Sequence, residues 1–448
     1  MAISDHSRSF LGSLEGRQAL VMGLGRFGGG AAVVRHLAAA NADVLVTDLG
    51  TSDELRETIE ALDGVRVDFR LGEHRIDDFS RADLVVVNPA VPHPWDNPYL
   101  EAAREAGARL LTEIRLAIGN RPAGSIVGIT GTAGKSTTAA MTHHALARVA
   151  PDLDPRLAGN IGGSLLDDPP PHGSTIVLEL SSFMLHWLAG TGGDTADRAT
   201  PGLAAITNIA PNHLDWHLTH DHYAACKQAI GSASPICAEP RVLAPPHEDS
   251  RSSEIEARLR LEVPGAHNRR NAVLAIRLAL EHLHIRRKAE PTSDTRDRLV
   301  EALRDFPGLP HRLEFLGEHR GVRIFNDSKS TTPEATLLAV EALEGAAGVH
   351  LIAGGYDKGS DLGSLVDLAP RLSGLYAIGA TGPHLVAKAG VLHQRLEEAV
   401  AAAFDAARSG DAILLSPGCA SWDQFTNFEE RGAAFRAAVE RRVGRRPD

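Results

Sequence analysis

The chain has 448 residues, enough for about three domains of ordinary size, each with its own core. Its 43% hydrophobic and 23% charged residues are those of a globular protein, while 4% aromatics and a formal charge of −11 exclude a basic, base-stacking surface for nucleic acid. Three cysteines, Cys226, Cys237 and Cys419, are an odd number without paired spacing, so a reducing cytoplasmic setting is expected and a disulfide framework is not.

Apolar, β-branched runs recur along the chain, each closed by Gly, Asn, Asp or Pro and followed by an Ala/Leu/Arg/Glu-rich stretch of helical length. That alternation predicts an α/β protein of βαβ units and parallel sheets. In the first part strands are expected at Ala19–Gly23, Asp43–Asp48, Val65–Phe69, Leu84–Asn88 and Arg109–Thr112. The second part gives Ser125–Ile129, Thr175–Leu180, Ala204–Asn208 and Arg241–Ala244; the rest of Ile236–Pro264 has charges and prolines but no clear period, and no element is assigned there. The third part gives Val322–Asn326, Val349–Ala353, Leu375–Ile378 and Ala412–Leu415. Composition breaks at Asn120–Gly124 and Phe306–Pro310 place the domains at 1–112, 113–308 and 309–448. No uncharged stretch reaches about 18 residues, and the opening residues lack a basic segment leading into an apolar one, so neither membrane spanning nor export is expected.

In open parallel sheets ligands bind beyond the carboxyl ends of the strands, and the chemically suggestive residues sit there. Gly23-Leu-Gly-Arg-Phe-Gly28 follows a strand, and Asp48 ends the next one. This reads as a dinucleotide-type fingerprint that serves hydride transfer or cradles any diphosphate, a nucleotide sugar included; a tight structural turn is the plain alternative. Gly128-Ile-Thr-Gly-Thr-Ala-Gly-Lys-Ser-Thr-Thr138 joins a strand to a helix. It reads as a triphosphate loop: backbone N–H groups and the helix N-terminus meet an anion, Lys135 adds charge, and Ser136 or Thr137 offers a hydroxyl to a metal. A capped Gly/Thr turn is the bland reading.

Glu179, in Glu-Leu-Ser-Ser-Phe183, is placed to hold Mg²⁺ beside a triphosphate or simply to cap a helix. His213, Asp215 and His217 stand at short spacing, but the cysteines are badly placed to complete a zinc site with them, and hydrogen-bonded loop histidines are the ordinary case. Asn268 and Asn271 share one face of a helix opening, as caps or as purine and phosphate contacts. Asn326–Thr332, Gly354–Gly359 and Ser416–Ser421 each turn polar straight after a strand; Lys329 and Lys358 there suit carboxylates or phosphates.

Taken in order, these blocks resemble the Mur ligase family, the ATP-dependent amino-acid ligases of peptidoglycan precursor synthesis. The likeness spans nearly the whole chain, adding Gly159-Asn-Ile-Gly162, Leu309-Pro-His-Arg312 and the closing Leu415-Ser-Pro-Gly-Cys-Ala-Ser-Trp-Asp-Gln-Phe425 with Asn427-Phe-Glu429 and Arg431-Gly432. The closing block resembles the glutamate-adding member most. The chain departs from the family pattern at three ligand-facing loops: Ala133 in the phosphate loop, Asn212 before His213, and Leu49-Gly50 after Asp48, where a polar pair is expected to grip uracil.

The resemblance implies three domains on mainly parallel sheets: a Rossmann-like UDP-sugar domain, a central P-loop ATPase and a Rossmann-like C-terminal domain. It implies D-glutamate ligation to UDP-N-acetylmuramoyl-L-alanine through an acyl phosphate, with the L-glutamate-adding ligase or a folate polyglutamate ligase as alternatives. ATP, two Mg²⁺ ions and a CO₂-derived carbamate on Lys227 are expected, in a cytoplasmic monomer without nucleic-acid or membrane partners. By the same resemblance Lys135, Glu179, His213 and Lys227 are catalytic, and Ser136, Glu179, His213 and carbamylated Lys227 are the metal ligands. Gly131, Thr132, Gly134, Lys135, Ser136, Thr137, Asn268, Asn271, Arg312 and Asp327 face ATP. Gly23, Gly25, Gly28, Asp48 and Asn160 face the acceptor, and Lys329, Lys358, Ser421 and Phe428 form the glutamate pocket.

Overall fold

A computed structural model describes residues 10–25, 28–189, 197–245, 250–343, 345–356, 359 and 361–444. The first sheet contains β1 (Gln18–Met22), β2 (Asp43–Asp48), β3 (Asp68–Leu71), β4 (Leu84–Val87) and β5 (Arg109–Leu111), with α1 (Gly29–Ala39) following β1. Its order is β3-β2-β1-β4-β5, every pair parallel. Strand alternation splits its core in two: Ala19 and Val21 pack with Val33 and Leu37 on one face, Leu20 and Met22 with Phe79 and Leu100 on the other.

The second sheet contains β6 (Ile126–Thr130), β7 (Arg156–Gly159), β8 (Ile176–Glu179), β9 (Leu203–Ile206) and β10 (Arg241–Leu243), ordered β10-β9-β6-β8-β7 and again all parallel. Between and after these strands run α2 (Lys135–Val149), α3 (Ser182–Leu188), α4 (His220–Gln228) and α5 (Ala266–Arg287). The third sheet contains β11 (Glu314–His319), β12 (Val322–Asn326), β13 (Val349–Gly354), β14 (Gly374–Ile378), β15 (Val391–Leu392) and β16 (Ala412–Leu415), with α6 (Phe428–Val443) closing the chain's described part. Its order is β11-β12-β16-β13-β14-β15, and only β11 runs antiparallel to its neighbour.

The chain divides into two compact units, Met1–Arg258 with Arg270–Ala302 and Leu259–Arg269 with Leu303–Asp448. The first holds two sheets, tied together by Arg109 on Asp197 (2.5–3.1 Å) and by Arg115 Nε donating to the Asp197 carbonyl at 2.6 Å. Phe10 lies under both guanidinium groups.

The thirteen expected strands all occur, most within two residues of the sequence reading. The expected Val65–Phe69 strand starts later, at Asp68, because Val65 N–H closes a turn on the Leu62 carbonyl. Strands β7, β11 and β15 were not expected. Arg156-Leu-Ala-Gly159 has no β-branched residue, Glu314–His319 carries charges on an edge, and Val391–Leu392 is only two residues long. A helix, Ser250–Arg258, occupies part of the segment left without an element.

Candidate active site

In the first unit, β6 ends at Thr130 and the chain turns through Gly131–Gly134 into α2. Two glycines make the turn possible: Gly131 has φ +145° and Gly134 φ +80°, and a Cβ on Gly131 would overlap Thr207 Oγ1 while one on Gly134 would lie 2.7 Å from Asn271 Oδ1. The loop is braced from β9's end. Asn208 Oδ1 accepts from Thr132 N–H (3.2 Å) and Ala133 N–H (3.0 Å), and its Nδ2 donates to Ala133 O at 3.2 Å. Thr207 Oγ1 also donates to Ala133 O, at 2.5 Å. Lys135 curls back so that Nζ donates to Thr132 O at 2.9 Å. Ser136 is buried at the start of α2, with Thr137 beside it at intermediate depth.

Around this loop stand the other expected residues. Glu179, the last residue of β8, is 1% exposed; its Oε2 has no hydrogen-bond partner, and Oε1 accepts from Asn160 Nδ2 at 3.4 Å. Lys227, on α4, is also 1% exposed, donates to Gly131 O at 2.8 Å, and lies 4.7 Å from the centre of the Tyr223 ring. Burial pushes the Lys227 ammonium down to about 7, the Lys135 charge adds to the shift, and Glu179 partly opposes it. Tyr223 reaches the loop too, its hydroxyl 2.9 Å from Thr132 Oγ1. His213, held at φ +52°, rests edge-on against Phe183; burial lowers its pKa, with Asp215 opposing and Lys135 and Lys227 reinforcing. The phosphate loop, Asn160, Glu179, His213, Lys227 and Asn271 therefore converge.

The glycine loop after β1 lies at the switch point between β1 and β4. Gly23 and Gly25 have φ +85° and +67°, and Asn88, just past β4, sits where their Cβ atoms would press. Gly28 caps α1 at φ +85°. Asp48 Oδ2 accepts from Leu24 N–H (2.7 Å) and Gly25 N–H (3.3 Å), and Oδ1 from Gly50 N–H (2.8 Å). It thus braces the loop. The stretch after β4 reaches the segment that follows β9 of the second sheet: Trp216 Nε1–H donates to Val91 O at 2.9 Å, and His93 Nε2 bonds Asp215 O at 3.1 Å.

The second unit brings together a different set. Asp327 is 6% exposed; Oδ1 accepts from Leu313 N–H (3.0 Å) and Oδ2 from the Ser330 (2.6 Å) and Ser416 (2.8 Å) hydroxyls. Burial raises its carboxyl to about 6 against those hydrogen bonds and the charge of Arg312. Lys329 Nζ lies 4.5 Å over the Phe428 ring at the start of α6. Ser421 is buried, and Asn268 Nδ2 is held by Pro264 O at 2.7 Å. Lys358 lies outside the described residues.

Two braces were not read from the sequence. Asn208 is the first; the second is Arg431, fully buried, which donates to Ser328 Oγ (3.1 Å), Ser328 O (2.9 Å), Cys419 O (3.1 Å) and Ala420 O (3.1 Å). It joins the loop carrying Lys329 to the loop carrying Ser421. Arg431 stood in the closing block, but an arginine in sequence gives no sign of being turned inward.

Three family models match the chain: Mur ligase MurD-like, N-terminal domain, over residues 17–112; Mur ligase middle domain, over 129–243; and Mur ligase, glutamate ligase domain, over 311–419. Relatives named UDP-N-acetylmuramoylalanine--D-glutamate ligase include those of Roseiflexus sp. (strain RS-1), 36% identical over 95% of this chain and 99% of the relative, and Acidobacterium capsulatum, 34% identical over 95% and 96%. Among solved structures, the MurF ligase of Thermotoga maritima in complex with ADP shares the fold, with a TM-score of 0.50 and 15% identity over 96% of each chain.

Proposed function

The chain belongs to the Mur ligase family, and from that premise we propose that it joins D-glutamate to UDP-N-acetylmuramoyl-L-alanine at the expense of ATP. The observation that carries the chemistry is the convergence of a glycine-built phosphate loop, a buried Glu179 with an unpartnered oxygen and a buried Lys227. Domains 1–112, 113–308 and 309–448 would supply the acceptor, ATP and glutamate sites of a cytoplasmic monomer.

An alanyl carboxylate is a poor electrophile, so its oxygen must first take the γ-phosphoryl group, releasing ADP. The glutamate amine then attacks the acyl carbon, and phosphate leaves as the amide forms. In this chain the loop N–H groups and the α2 N-terminus bind the triphosphate, and Lys135 exchanges its Thr132 carbonyl for phosphate oxygen. The glycine loop bound by Asp48 receives the diphosphate of the acceptor, whose path runs along the Asn88–Trp95 stretch toward His213 and Asn160. Asn271 serves ATP beside the phosphate loop, and Asn268, Arg312 and Asp327 are read as ATP contacts on the resemblance alone, Asp327 having its oxygens on Leu313 N–H and the Ser330 and Ser416 hydroxyls; Lys329 fixes a glutamate carboxylate beside Phe428 and Ser421. Lys358 takes the same role on the resemblance alone.

The polar residues fit divalent cations. Glu179 Oε2 is a buried carboxylate oxygen with nothing to bond, which suits a hard cation beside the Ser136 hydroxyl. His213, kept neutral by burial, and Lys227 would hold a second ion. With its pKa near 7, the buried Lys227 amine is in part neutral at that pH and would add CO₂ and release a proton, becoming an anionic carbamate. Magnesium bound there supplies charge neutralisation between the two reacting anions.

Phosphate release measured with ATP and UDP-N-acetylmuramoyl-L-alanine should require D-glutamate, with L-glutamate giving little. No nucleotide consumption under any pairing would overturn the reading.

A further inference from the structure

Beside Lys227 on α4 lies a cluster of coordinating side chains that the ligase chemistry leaves unused. His222 and Cys226 stand one turn apart on α4, and His186 meets them from α3. Cys226 Sγ is 3.5 Å from His222 Nε2 and 3.9 Å from His186 Nδ1, and one ligand atom from each residue lies within 4.8 Å of the other two. A tetrahedral Zn²⁺ with Zn–S of about 2.3 Å and Zn–N of about 2.0–2.1 Å sets sulfur and nitrogen ligands about 3.5 Å apart. The spacing here is nearly that already.

The imidazoles are prepared for such an ion. His222 Nδ1 lies 3.2 Å from the His217 carbonyl and 3.3 Å from His217 Nδ1; with the ring proton on Nδ1, that N–H donates to the carbonyl and the Nε2 lone pair is left toward the cysteine sulfur. A second nitrogen donating to a backbone carbonyl is the usual support of a zinc-bound histidine. His186 is 1% exposed, its Nε2 has no hydrogen-bond partner, and at Nδ1 the thiol at 3.9 Å is a weak one. A cation at Nδ1, the nitrogen that faces the sulfur, would replace that weak contact, with the ring proton on Nε2. Thiolate and imidazole select a borderline-soft ion over Mg²⁺, which prefers oxygen.

We propose that His186, His222 and Cys226 bind one Zn²⁺, with water in the fourth position. On binding, the Cys226 thiol gives its proton to solvent and the thiolate takes the metal. The ion clips α3, which follows the Glu179 strand, to α4, which carries Lys227. Trp95 packs edge-on against His222 at 4.7 Å and His186 at 5.6 Å, so its fluorescence reports occupancy.

The test uses the full chain, stripped of metal by a chelator and kept in excess Mg²⁺, titrated with Co²⁺ and then Zn²⁺. One Co²⁺ per chain should produce a near-ultraviolet sulfur-to-cobalt charge-transfer band that one equivalent of Zn²⁺ removes. Cys226→Ala should abolish the band, His222→Gln should weaken Zn²⁺ binding by more than the about 10- to 100-fold typical of losing an outer-shell contact, and Cys237→Ala should leave both unchanged. Absence of the band in the parent chain, its survival in Cys226→Ala, or equal Zn²⁺ affinity in His222→Gln and the parent would each overturn the proposal.

Discussion

Asn208 offers the sharpest test of how the phosphate loop works, because its side chain touches the loop and is assigned no ligand of its own. Replacing it by alanine removes three hydrogen bonds, two from the Thr132 and Ala133 N–H groups to Oδ1 and one from Nδ2 to Ala133 O. Each is worth about 0.5–1.5 kcal/mol net, and the loop's exposure favours the lower half of that range, so the brace totals about 1.5–3 kcal/mol. The turn is not left bare: Asn208 O still accepts from Thr132 N–H at 2.9 Å, and Thr207 Oγ1 still donates to Ala133 O. If the brace serves to hold N–H groups toward the triphosphate, its loss falls on ATP use, as a roughly 10- to 150-fold drop in kcat/KM for ATP. Thr207→Val should cost about 1 kcal/mol, and because both side chains share the Ala133 carbonyl the double variant should be less than additive. Steady-state phosphate release at varied ATP, with thermal unfolding in parallel, separates the two uses of the brace. A folded Asn208→Ala enzyme within threefold of the parent in kcat/KM would refute preorganisation of this loop by Asn208.

Further outcomes follow from the same geometry. Gly131→Ala must place a methyl group on Thr207 Oγ1 at a φ of +145°, so ATP-dependent phosphate release should fall by at least about 100-fold, checked with nucleotide binding by calorimetry. Arg431→Met takes the arginine donors from the Ser328 and Cys419 carbonyls in the interior of the second unit, while the Ala420 carbonyl keeps Tyr356 N–H at 2.8 Å; a loss of about 2 kcal/mol or more is expected in denaturant unfolding, and less than about 1 kcal/mol would contradict it. His282 is fully buried against Thr175 Oγ1, and burial with the nearby Arg286 lowers its pKa to about 3, below the unfolded value of about 6.5. The unfolded chain then binds more protons in acid, so this residue's contribution is complete above pH 6.5 and is lost on acidification at about 1.4 kcal/mol per unit; His282→Gln should flatten the acid limb by that slope in unfolding curves at several pH values. Lys227, with its pKa near 7, should give activity that rises through neutral pH and responds to added bicarbonate most strongly on the acid side; Lys227→Ala with full activity would exclude the carbamate.

The strands were legible because a parallel sheet covered on both faces needs continuous apolar runs, and Leu84-Val-Val-Val87 or Ala412-Ile-Leu-Leu415 can be little else. Edge strands carry no such demand. β11 keeps its charges and β15 its two exposed residues, since each is buried on fewer sides, and neither could be told from a loop. The site was legible in the same degree, through residues whose type is dictated by where they sit: glycines at positive φ, a lysine at a helix start, an acid at a strand end.

What escaped the sequence is the support behind those residues, and the reason lies in how anions are bound here. A site made of backbone N–H groups needs glycine to turn, and glycine supplies no side chain to hold the turn, so the holding falls to residues distant in sequence. Asn208 does this for the phosphate loop from 75 positions away, and Asp48 does it for the glycine loop from 24. Both also stand at strand ends, where an asparagine or aspartate facing a ligand would stand. A carboxylate that braces and one that binds share residue type and position, and only the direction of the oxygens separates them. Asp48 and Asp327 have their oxygens turned on the protein's own donors, whereas Glu179 keeps one buried oxygen free of any. Of the three acids read as ligand-facing, Glu179 is thus the one whose charge is left for a cation to meet.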